Sequence, residues 1–65
     1  MNPQELRAAV LELLCASGPM SFDEITESLG EADSRIGMAL GYLEAQALVE
    51  SNETTQYKWG ATKNS

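Results

Sequence analysis

The apolar residues of this chain change period once, at Ala47, and that change constrains what it can fold into. Before it they recur with the 3.6-residue period of helices. Leu6, Ala9, Val10, Leu13 and Leu14 fall on one helical face. Phe22, Ile25 and Leu29 form a second stripe, and Ile36, Ala39, Leu40, Leu43 and Ala47 a third. After Ala47 the pattern moves toward alternation. Leu48 to Ser51 reads as a strand, Asn52 to Thr55 as a polar turn, and Gln56 to Trp59 as the return strand, with Tyr57 and Trp59 on one face.

Helix punctuation supports the three stripes. Asn2, Pro3 and Glu5 make an Asn-x-x-Glu start, a variant of the capping box with proline at the first helical position. Ser17-Gly18-Pro19 ends that helix. Ser21 and Glu24 form a full capping box for a helix of about two turns that leaves at Gly30. Asp33 or Ser34 is the expected cap of a third helix running to about Gln46. The expected core is Leu6, Val10, Leu13, Leu14, Ile25, Leu29, Ile36, Leu40, Leu43, Leu48, Tyr57 and Trp59, with Trp59 largely buried.

The 65 residues allow one domain at most. Ten acids against four bases leave a net charge of −6, the wrong sign for a polybasic nucleic-acid or membrane-surface protein. The acid is concentrated in front. Residues 1–32 carry Glu5, Glu12, Asp23, Glu24, Glu27 and Glu31 against Arg7, a net −5. Residues 33–65 carry Asp33, Glu44, Glu50 and Glu53 against Arg35, Lys58 and Lys63, a net −1. One cysteine and no histidine exclude an internal disulfide, Cys/His zinc sites and His-based catalysis. No phosphate loop, nucleophile elbow, dinucleotide fingerprint or calcium-loop spacing is present. The expectation is therefore no enzyme, no catalytic residue, no metal and no cofactor. Cys15 reads as a small apolar residue on a partly covered helix face. No basic leader or long apolar run suggests targeting or a membrane span, and a lone cysteine fits a cytoplasmic location.

Helix, helix, helix and hairpin, in that order, resemble the winged helix-turn-helix family. Val10 to Leu14, Gly18 to Ser21, Ile25 and Leu29-Gly30 look like its first two helices. Leu40 to Glu50 look like its third helix running into the wing. The run Ala39-Leu40-Gly41-Tyr42-Leu43 also resembles small bacterial winged-helix proteins. The resemblance covers about residues 6–62. It implies an α+β, mainly α fold: three helices and a C-terminal two-stranded hairpin wing. The domain is expected over residues 1–60, with 61–65 as a tail.

The resemblance also implies duplex DNA as partner, read by the third helix and touched by the wing, and hence a role in transcription regulation. The residues so implicated are Ser34, Arg35, Met38, Tyr42, Thr54 and Lys58. Their chemistry is thin for DNA, since Arg35 is the only cation on the outer face of the third helix. Arg35 has a plainer role open to it, pairing with Asp33 or Glu31. The alternative is a protein-interaction or self-association module, with a protein partner or homodimer on Met38, Gly41, Tyr42 and Ala45. Gly37 and Gly41 together cost a helix about 2 kcal/mol relative to alanine. Close approach of a partner and close packing within the domain both remain open as the offset.

Overall fold

A computed structural model of the chain describes residues 1–52 and 58–62. It contains α1 (Pro3–Ser17), β1 (Met20–Ser21), α2 (Phe22–Leu29), α3 (Asp33–Ala45), β2 (Val49–Asn52) and β3 (Lys58–Ala61). The fold is α+β and mainly helical, with a small antiparallel sheet ordered β1-β3-β2. The expected turn at Asn52 to Thr55 falls largely outside the described residues. So do the core role of Tyr57 and the site role of Thr54.

Both capping boxes form as their spacing requires. In α1 the Glu5 backbone N–H donates to Asn2 Oδ1 at 2.7 Å, and the Asn2 N–H donates to Glu5 Oε1 at 3.1 Å. In α2 the Glu24 N–H donates to Ser21 Oγ at 3.2 Å, and the Ser21 N–H donates to Glu24 Oε1 at 2.9 Å. Each box satisfies two donors that a helix start otherwise leaves to water. Gly18 closes α1 at φ 79°, ψ −166°, a conformation essentially restricted to glycine. Gly30 closes α2 in the left-handed region.

The cap of α3 differs from expectation. Ala32 is the N-cap and makes no side-chain hydrogen bond. Its backbone is extended (φ −66°, ψ 150°), whereas Asp33 and Ser34 are already helical. Once the chain turns at Ala32, neither side chain occupies the capping position. Asp33 instead places its charge in the first turn, where the helix dipole favours it.

The sheet contains a strand beyond the expected hairpin. β1 is two residues long and pairs with β3, Met20 opposite Trp59 and Ser21 opposite Lys58. On its other edge β3 pairs with β2, Ser51 opposite Trp59 and Asn52 opposite Lys58. The pairing continues past residue 60, since β3 runs to Ala61 and the Thr62 N–H reaches the Leu48 carbonyl at 2.9 Å.

The core consists of Leu6, Val10 and Leu14 from α1, Ile25 from α2, Ile36, Ala39, Leu40 and Leu43 from α3, and Val49 from β2. Leu13, Leu29 and Trp59 pack against it but are only partly buried, so Trp59 is less covered than expected. Leu48 does not join the core. It is 36% exposed, and Val49, at 2%, takes the inward position. The helix ending explains the exchange. The Ala47 N–H bonds to the Glu44 carbonyl and the Leu48 N–H to the Leu43 carbonyl, both at 2.9 Å. That is a Schellman ending with Ala47 at φ 61° in the position usually held by glycine. It sets the phase of β2, and alternation then places neighbouring side chains on opposite faces.

Two predictions follow from these ends. A left-handed alanine carries about 1–2 kcal/mol of steric strain, offset in part by glycine's greater freedom in the unfolded chain. Ala47→Gly should raise the melting temperature by a few degrees and Ala47→Val should lower it, as thermal circular dichroism will record. The second concerns Glu24. Hydrogen bonds from the Ser21 backbone and then its hydroxyl hold the Glu24 carboxyl below its ordinary pKa, and nearby Lys58 adds a smaller pull. Its folded-state pKa is thus below the unfolded one. The associated stability is present above the ordinary carboxylate range and is lost as pH falls through the folded value. Glu24→Gln should therefore flatten the fall of melting temperature between about pH 5 and pH 3. Parallel pH profiles for variant and parent would contradict this.

Candidate functional site

The outer stripe of α3 is open to solvent along its length. Ser34, Arg35, Met38, Gly41, Tyr42 and Ala45 are all exposed. Met38, at 76%, and Tyr42, at 48%, are large apolar side chains with little cover. They stand over a shallow groove of about 150 Å³ between α3 and the start of α1. Buried Leu6 and Ala39 belong to its lining, and Pro3, Arg7 and Arg35 complete it. The structure thus brings together Arg35, Met38 and Tyr42 from the implicated set. Ser34, Gly41 and Ala45 share the helix face but do not line the groove. Lys58 lies on the sheet, half-buried and flanked by β1 and β2.

Arg7 is the residue that sequence reasoning missed. Its Cζ lies 4.0 Å from the centroid of the Tyr42 ring, a cation–π contact between α1 and α3. The local signal was its position at the edge of the apolar stripe of α1, at i+4 from Pro3 and i−3 from Val10. Nothing in the sequence named Tyr42 as its partner.

Arg35 is engaged within the chain. One guanidinium nitrogen donates to the Met1 carbonyl at 2.6 Å, and Nε lies 3.5 Å from Glu31 Oε1. The ion pair is thus with Glu31, four residues earlier and just ahead of α3, and not with Asp33. At 44% side-chain exposure for Arg35 it is a surface pair, worth about 1 kcal/mol or less.

The glycines of α3 give one answer to the packing question. A Cβ on Gly37 would meet only the edge of Phe22, at 4.0 Å, and one on Gly41 would meet nothing within 4 Å. Packing inside the domain therefore requires glycine at neither position. Cys15 is exposed, contrary to the partly covered face expected for it, because it lies off the buried stripe of α1. Among the described residues no group of three or more Asp, Glu, Cys or His side chains could hold a metal ion, and no helix is long and apolar enough to cross a membrane.

The Arg7–Tyr42 contact has a measurable consequence. A partly exposed cation–π pair contributes about 0.5–1 kcal/mol. A double-mutant cycle with Arg7→Ala and Tyr42→Ala, read by urea unfolding, should give a favourable coupling energy of that order. Additive effects of the two substitutions would show that the contact does not contribute to stability.

No protein-family model, no curated protein and no solved structure matches the chain.

Proposed function

We propose that the chain is a winged-helix domain that works as a protein-interaction module, docking its partner on the α1/α3 face. The fold reading is supported by the element order helix, strand, helix, helix, strand, strand, and by a hairpin sheet completed by the short strand between the first two helices. The functional reading rests on one observation: the solvent face of α3 is centred on Met38 and Tyr42. A helix that reads base edges presents Arg, Lys, Asn or Gln there. Met and Tyr, with Arg beside them, are typical of the middle of a protein interface. Gly41 agrees, since it leaves the backbone of α3 open to close approach without serving any contact inside the domain.

Duplex DNA is the second reading. It is favoured by the start of α3, where no side chain caps the helix and Ser34 and Arg35 occupy the first turn. Backbone N–H groups at such a start can receive a phosphate. Against it, Arg35 is paired with Glu31, and Lys58 lies near Glu24.

Two measurements separate the readings. With a photoreactive amino acid at position 38, irradiation should yield covalent protein adducts; the same group at position 27, on α2, should yield none. Adducts to nucleic acid alone, or equal labelling at both positions, would overturn the interaction reading. In a salt titration with mixed duplex DNA, the DNA reading with one phosphate each on Arg35 of α3 and Lys58 of the sheet requires a log–log slope near −2 per subunit, since each phosphate contact contributes about 0.9. Arg35→Ala should then halve that slope. The interaction reading expects no salt-dependent binding in the micromolar range.

A further inference from the structure

We propose that the α1/α3 groove receives an acidic peptide segment, one large apolar side chain entering beside Met38 and Tyr42 while an adjacent carboxylate is held by Arg7. This deepens the interaction reading above and rests on it. The size of the groove argues for a single anchor. About 150 Å³ accommodates one leucine- or phenylalanine-sized side chain and is well below the roughly 300 Å³ at which small-molecule pockets begin. Its lining argues for an apolar anchor, since Pro3, Leu6, Met38, Ala39 and the Tyr42 ring supply most of the wall.

The charge of the partner follows from what borders the groove. Two of the chain's four cations, Arg7 and Arg35, line it, in a protein whose net charge is −6. They are not equivalent. Arg35 already serves Glu31 and the Met1 carbonyl. Arg7 has no carboxylate partner among the described residues, and its guanidinium lies over the Tyr42 ring. A guanidinium over an aromatic ring keeps its in-plane N–H donors for a carboxylate, which it binds in two-pronged fashion. The ring also holds the guanidinium in place, so less side-chain freedom is lost on binding. Tyr42 thereby serves both as groove wall and as support for the anion-binding group. A second copy of the chain complements the groove less well. Pairing this face with itself about a two-fold axis brings the Arg7 and Arg35 edges of both copies to one interface.

The test uses three short synthetic peptides sharing a central phenylalanine, flanked by glutamates, glutamines or lysines. Binding is followed by backbone amide shifts of the isotope-labelled protein. The net negative charge of the domain favours the lysine peptide at long range. Preference for the glutamate peptide must therefore come from the groove itself. The glutamate peptide is expected to shift Arg7, Met38 and Tyr42 with a sub-millimolar Kd, about tenfold tighter than the glutamine peptide. Arg7→Gln should remove that preference while leaving the weaker glutamine-peptide binding in place. Met38→Glu should abolish both, with the helical circular-dichroism signal unchanged. A glutamate preference that survives Arg7→Gln would overturn the proposal, as would shifts centred elsewhere, stronger binding of the lysine peptide, or no binding at several millimolar. If glutamate and glutamine peptides bind alike and both depend on Met38, the acidic partner is refuted while the interaction reading stands. Sedimentation showing a dimer that Met38→Glu dissociates would assign the groove to a second copy and equally refute it.

Discussion

The packing of α1 on α3 holds the rest of the molecule in place. Leu6, Val10 and Leu14 supply one side and Ile36, Ala39, Leu40 and Leu43 the other, all nearly inaccessible to water. α2 is eight residues long and contributes one fully buried side chain, Ile25. A helix of that length does not persist alone in water, so it exists because the α1–α3 pair offers Ile25 a site. The sheet depends on the same pair through Val49 and the partly buried Trp59.

The groove is a consequence of that packing. Ala39 is the smallest of the α3 core side chains, and it lines the groove beside Leu6. Of the side chains that stand over this region, Met38 and Tyr42 are too exposed to owe their identities to core packing, and Arg7 is half-buried against the Tyr42 ring. Their chemistry is what distinguishes the surface from a solvated helix face. Long apolar groups on this face are the ground of the interaction reading proposed above.

The acid of the front half belongs largely to local structure. Glu5 and Glu24 are the carboxylates of two capping boxes, Asp23 lies in the first turn of α2, and Glu31 pairs with Arg35. Four of the six front-half carboxylates thus have a structural role near a helix start or a cation. The net charge is in good part a by-product of how these short helices begin, and it says less about partners than its size suggests.

The helices, their capping boxes and their glycine exits were legible in the chain because each depends on residues within one turn of one another. The hydrogen bond between Asn2 and Glu5 needs no distant partner. Most of the core followed from the same periodicity. What required the tertiary structure involved residues far apart or a choice of phase. β1 is two residues long, too short to alternate, and is a strand only because β3 lies beside it. Whether Leu48 or Val49 faces inward was decided by the left-handed turn at Ala47, a conformation that sequence reasoning assigns to glycine. The capping position of α3 fell to Ala32 because the chain turns there, although two better capping residues follow. The groove, and the meeting of Arg7 with Tyr42 across two helices, exist only once α1 lies on α3. Local hydrogen bonding set where α1 and α2 begin and end, and packing between helices decided which surface side chains became neighbours.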